Sequence, residues 1–176
     1  MTIETVYEKV QGGPVRVGIW TITQLTSPER AFIHVPQHSA FANGYVNLMA
    51  TPVPTLRSDG RLVSVTRDSE RNSMIGSDGD ALLWVGAGPD VLIENKTPRD
   101  AKGSQWAEQG SHSKIYTNAA WQRAYVELEL LNRLQDFKSG SRQSMTVSYR
   151  LILRSKSDPL LEAETVFGDR QVQEKR

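Results

Sequence analysis

Apolar and polar residues alternate along much of this chain with the period of two that a half-buried strand requires. The clearest case runs from Ser144 to Arg154, where Met145, Val147, Tyr149, Leu151 and Leu153 alternate with polar or charged neighbours and Ile152 is the exception. That pattern predicts a strand with one face buried and the other wet. Near the start, Thr5 to Val10 and Val15 to Thr23 flank Gln11-Gly12-Gly13-Pro14, a turn signal that predicts a hairpin between the two runs. Val15, Val17 and Ile19 keep one phase, whereas Trp20 and Ile22 take the other. A change of phase inside a run marks a bulge, or a strand that leaves one sheet for another. Further runs at 31–35, 45–50, 62–65, 81–85 and 90–94 bring the predicted strands to nine or ten.

Turn chemistry separates these runs. Ser58-Asp59-Gly60-Arg61 and Ser77-Asp78-Gly79-Asp80 each offer an Asp to bond backbone N–H groups, then a Gly for a positive φ, then a strand. Lys138-Ser139-Gly140-Ser141 breaks the chain before the last long strand. Pro28, Pro36, Pro52, Pro54, Pro89, Pro98 and Pro159 fall between the runs, where a missing N–H costs no ladder bond. Val, Ile and Thr together number 35, a β-rich set. The expected fold is therefore all-β: a single antiparallel β-sandwich or barrel-like domain over residues 1–168, followed by a polar, aperiodic tail at 169–176.

Residues 118–137 fit two templates. As a helix, Trp121, Ala124, Tyr125, Leu128, Leu131 and Leu134 form a stripe at spacings of three and four, behind an Asn118 cap. As a strand, Ala124, Val126, Leu128 and Leu130 alternate with Tyr125, Glu127, Glu129 and Leu131. The strand is preferred for 123–131, with Ser144 to Arg154 as its partner, and one helix near 118–137 is the competing reading.

Composition narrows the chemistry. A chain of 176 residues is one domain's worth and can bury a core without disulfides or a structural metal. It has no cysteine, which excludes thiol catalysis, cysteine-zinc sites and iron-sulfur clusters. The formal net charge is +1, so the electrostatic case for direct binding to nucleic acid or an acidic membrane is missing. Arg outnumbers Lys by 14 to 7, and Arg suits planar pairing at protein interfaces. The first residues carry Glu4 and Glu8 where an export signal needs basic residues and then an apolar run, so cytoplasmic synthesis without an export signal is expected. The longest apolar runs, such as Ala81 to Val85, are far shorter than the roughly 18 residues of a membrane-spanning helix.

The usual catalytic patterns fail on spacing. His34 and His38 stand four apart, but Pro36 lies between them and an extended chain holds them about 13 Å apart, too far for one metal ion. Glu108 and His112 add no defined set. No Gly-x-Ser-x-Gly elbow exists, and Gly86-Ala87-Gly88 runs into Pro89-Asp90 where a phosphate cradle would need helix N–H groups. Asp78 and Asp80 lack the remainder of a calcium loop. No catalytic, cofactor-binding or metal residues are therefore assigned, and no cofactor is expected. The remaining handle is Trp106, in the long polar gap at 95–113. With Asn95, Asp100, Gln105 and Gln109 it resembles, chemically, an aromatic platform for a glycan, whose C–H groups stack on the ring while amides bond its hydroxyls; the simpler role is a Trp that pins the loop.

These observations favour a non-enzymatic structural or assembly protein. By fold-level analogy, a virus or bacteriophage particle component is expected: a capsid, decoration or tail subunit acting as a homo-oligomer or against neighbouring particle subunits, and so located in the virion. A carbohydrate-binding module built on Trp106 is the alternative.

Overall fold

The computed structural model describes residues 1–50, 53–96 and 105–173. In chain order its strands are β1 (Thr2–Glu8), β2 (Val15–Val17), β3 (Trp20–Thr26), β4 (Arg30–His34), β5 (Val46–Asn47), β6 (Arg57–Asp59) and β7 (Leu62–Val65). There follow β8 (Ser73–Ser77), β9 (Ala81–Val85), β10 (Asp90–Lys96), β11 (Ser113–Thr117), β12 (Tyr125–Leu131), β13 (Gln135–Phe137) and β14 (Arg142–Leu153), and then one helix, α1 (Pro159–Gln173). The strands form a seven-stranded sheet in the order β1-β14-β10-β9-β4-β7-β6, a five-stranded sheet in the order β3-β12-β11-β8-β5, and a β13-β2 ribbon.

The two large sheets face each other across an apolar core. Ile33, Val63, Val65, Leu82, Met145 and Val147 come from the larger sheet, and Ile75, Ile115, Leu128 and Leu130 from the smaller. The larger sheet is covered on its outer face as well, where Phe32, Leu83, Val85, Val91 and Ile93 pack against Ala163 and Phe167 of α1. A strand buried on both faces needs no polar alternation, which is why Ala81–Val85 reads as an unbroken apolar run. The antiparallel all-β sandwich expected from the sequence is the observed fold, with a helical layer added.

Several local expectations are corrected. Residues 125–131 are strand β12, and the competing helix over 118–137 does not form: only a single 3-10 turn occupies Trp121–Arg123. β12 lies between β11 and β3, so period-two burial of Val126, Leu128 and Leu130 wins over a helical stripe. Its expected partner, β14, instead pairs with β1 and β10. Likewise β1 and β2 form no hairpin, since β1 joins β14 and β2 joins β13. The phase change near Gly18 is the point where the chain passes from the ribbon into the five-stranded sheet.

The helix lies elsewhere, beginning at Pro159. Asp158 Oδ1 accepts the Leu160 and Leu161 N–H groups at 2.8 and 3.0 Å, and Pro159 takes the first helical position, where its missing N–H costs nothing. The helix continues to Gln173, so residues 169–173, expected in a polar tail, are helical. Of the two similar turns, Gly60 has the positive φ, +58°, whereas Gly79 is required for space: a Cβ there would sit 2.3 Å from the His34 carbonyl oxygen, where the chain crosses from β8 to β9.

Candidate functional site

β10 places its odd and even residues on opposite faces. Val91, Ile93 and Asn95 share the helix-covered side, and Glu94 and Lys96 point the other way, toward the smaller sheet. The buried Lys96 ammonium lies 2.8 Å from the Asp80 carboxylate and donates to the Leu131 carbonyl at 2.6 Å. It also sits 4.4 Å from the centre of the Trp106 ring, a cation–π contact. That ring stacks on His112 with centroids 3.6 Å apart, and His112 Nδ1 is 3.5 Å from Asp80 Oδ1. Burial lowers the Lys96 pKa and Asp80 pulls it back up. For Asp80 burial works against ionisation, yet His112 and Lys96 together hold its carboxyl below the ordinary value. The cluster is thus an ion pair capped by an aromatic ring, suited to tying the end of β10, the β8–β9 turn and the 105–112 segment together.

This geometry bears directly on the residues of the glycan alternative. Trp106 is turned onto His112 and Lys96. The Gln105 carbonyl accepts the Leu134 N–H at 2.8 Å, Gln109 occupies a left-handed conformation (φ +60°) in the Glu108–Gly110 turn, and Asn95 lies on the face of β10 opposite Lys96. Asp100 lies outside the described residues. The histidines are dispersed: His34 stacks on Phe167 at 4.8 Å, His38 is in an exposed loop, and His112 is under Trp106. Among the described residues no three His, Asp or Glu side chains gather as a metal site requires. Asp78 accepts from the Ser39 hydroxyl at 2.7 Å and the Ala40 N–H at 2.6 Å, holding the 39–44 loop.

Three further buried ionisable groups were not legible in the sequence, because strand register and the packing of the two sheets create their surroundings. Lys114 and Glu129 are opposite one another on β11 and β12, 2.7 Å apart and almost wholly buried, with Trp20 Nε1 donating to Glu129 at 3.1 Å and the Trp20 ring 4.2 Å from the ammonium. Glu94, 1% exposed, has its pKa pushed up to about 7 by burial, an effect the Thr23 hydroxyl partly offsets. Thr23 also interacts with Tyr149, so β3 reaches over β10 and β14, and β1 lies one strand further out.

That outlying strand has an exposed edge. Among the described residues β1 ends the seven-stranded sheet and pairs on one side only. Met1 and Lys9 each exchange backbone hydrogen bonds with the β14 side, at 2.8 to 3.0 Å, so the alternation of an antiparallel ladder turns Ile3, Thr5 and Tyr7 the same way. The N–H and C=O groups of Thr2, Glu4, Val6 and Glu8 consequently face outward. Ile3, Val6, Tyr7 and Val15 are exposed, and Val6, Tyr7, Val15, Val17 and Phe137, together with Glu8 and Lys9, line a groove of about 390 Å³ between β1 and the ribbon. Natural edges are usually blunted by Lys, Pro, a bulge or shortness. β1 has no Lys, Pro or bulge within its seven residues, and its edge charges are the two carboxylates Glu4 and Glu8. Of the other edges, β5 and β6 span only two and three residues, while β3 is a second seven-residue edge with Trp20 and Ile22 exposed, engaged at its end where the Thr26 carbonyl accepts Trp84 Nε1 at 2.9 Å. Compared with protein-family models, curated proteins and solved structures, the chain matches none.

Proposed function

We propose that this protein is a non-catalytic structural subunit that works as an oligomer, a building block of a larger particle such as a virus or bacteriophage capsid, decoration layer or tail. The observation that carries this reading is the seven-residue β1 edge, free of Lys, Pro and bulge, beside a groove lined mainly by apolar side chains. Exposed backbone groups and apolar side chains on one strand are the means by which one chain adds to the sheet of another. The buried charges support the same reading, because Lys96, Asp80, Lys114 and Glu129 are engaged with one another inside the fold. Sedimentation equilibrium over a wide concentration range tests it. The expected mass is a multiple of the 19.7 kDa chain, reduced toward one chain by Val6→Glu, which adds a third carboxylate to the edge beside Glu4 and Glu8. A parent protein that stays at 19.7 kDa throughout overturns the proposal.

A further inference from the structure

We infer that the partner of β1 is the β1 of a second copy, paired antiparallel about a two-fold axis through Thr5, which makes one continuous sheet of the two seven-stranded sheets. This rests on the proposed self-association and specifies its geometry. The free edge is self-complementary along its length. The groove lies at the C-terminal end of β1, against Val6 and Tyr7, and the exposed Met1 and Ile3 side chains lie at the other end. A two-fold antiparallel pairing brings the Ile3 end of each copy beside the groove of the other, the isologous arrangement most dimers use.

Register follows from symmetry and charge. A two-fold axis perpendicular to a continuous sheet keeps each face with itself, so residues pair only with residues of the same parity. The outward-facing groups belong to Thr2, Glu4, Val6 and Glu8, so these must supply the hydrogen-bonded pairs. An axis at Val6 would set Glu4 opposite Glu8, and an axis at Glu4 would set the two Glu4 side chains against each other; like charges directly opposite are destabilising. An axis at Tyr7 pairs Glu4 with Val10, beyond the end of the strand. An axis at Ile3 overlaps residues 1–5 alone and leaves the outward groups of Val6 and Glu8 unpaired, whereas an axis at Thr5 engages the whole strand and avoids all of these faults. It pairs Glu4 with Val6 and Thr2 with Glu8 through the backbone, sets Ile3 across from Tyr7, and brings the two Thr5 residues together as a non-hydrogen-bonded pair.

The absence of cysteine from the chain makes disulfide trapping a clean test. In a non-hydrogen-bonded pair the Cα atoms are about 4.5 Å apart, inside the range a disulfide spans. Thr5→Cys is therefore expected to convert to a covalent dimer under mild oxidation. Ile3→Cys alone is expected to remain uncrosslinked, since its symmetry mate is about 13 Å away along the strand. The double variant Ile3→Cys with Tyr7→Cys is expected to crosslink, which guards against a local defect at Thr5. Sedimentation of each reduced variant is measured in parallel. A mass above one chain together with no Thr5 or Ile3–Tyr7 crosslink overturns the two-fold β1 pairing and leaves self-association standing. A single-chain mass overturns both.

Discussion

At the scale of single residues, the fold is decided by charges placed where water cannot reach them. Glu94 has a folded pKa of about 7 against an ordinary 4.5, so the folded chain holds a proton that the unfolded chain releases. Its contribution is therefore favourable at low pH and is lost as pH rises from about 4.5 through about 7, a change on the order of 3 kcal/mol. Glu94→Gln removes this dependence. Urea unfolding is expected to show the variant and parent close in stability at pH 5 and the variant ahead by up to roughly 3 kcal/mol at pH 8; an equal difference at the two pH values contradicts the assignment. The Lys114–Glu129 pair behaves differently, since each charge is compensated by the other. Lys114→Ala leaves a buried carboxylate alone and is expected to cost about 3 to 5 kcal/mol, whereas Lys114→Met with Glu129→Leu loses much less. Denaturation midpoints of the single and double variants check this. The sequence shows these residues only as polar positions inside strand patterns. Lys114 meets Glu129 through strand register and Glu94 meets Thr23 through the packing of one sheet on the other, neither of which a local pattern encodes.

At the scale of elements, α1 combines a strong start signal with a short apolar stripe. Ser157-Asp158-Pro159 is a helix start, and Leu160, Ala163 and Phe167 follow at spacings of three and four in an apolar stripe that stops at Phe167, short of the helix's polar last turns. The helix is held by tertiary contact: Ala163 and Phe167 cover the outer face of the large sheet, and the buried Glu162 accepts the N–H groups of Ser155 and Lys156 at 2.9 and 2.6 Å. Phe167→Ala is expected to cost about 3 to 5 kcal/mol and Asp158→Ala about 1 kcal/mol, both read from thermal or urea unfolding. A Phe167→Ala loss below that of the cap variant contradicts the packing role. β12 is the opposite case. Its sequence satisfies helix and strand equally, and its neighbours β11 and β3 decide. The phase change between Val17 and Trp20, by contrast, was legible because one chain segment cannot keep a single face buried in two sheets. Trp106 was legible as an anchor of its loop, but its partners Lys96, Asp80 and His112 come from three different segments and became visible only in the folded arrangement.

At the scale of the whole molecule, two sheets and a helix give the central strands cover on both faces and leave the margin of the larger sheet unfinished. β1 extends beyond the smaller sheet, presents every second backbone amide outward, and carries apolar side chains next to a groove. The near-neutral charge fits association through shape and backbone pairing, with salt having little effect. The most direct measurement is amide hydrogen exchange along β1 as a function of protein concentration. Ile3, Thr5 and Tyr7 donate to β14 within one chain, so their protection is expected to be independent of concentration. Glu4, Val6 and Glu8 donate outward, and their protection is expected to rise with concentration as copies pair. Fast exchange at Glu4 and Val6 at every concentration would contradict assembly through this edge.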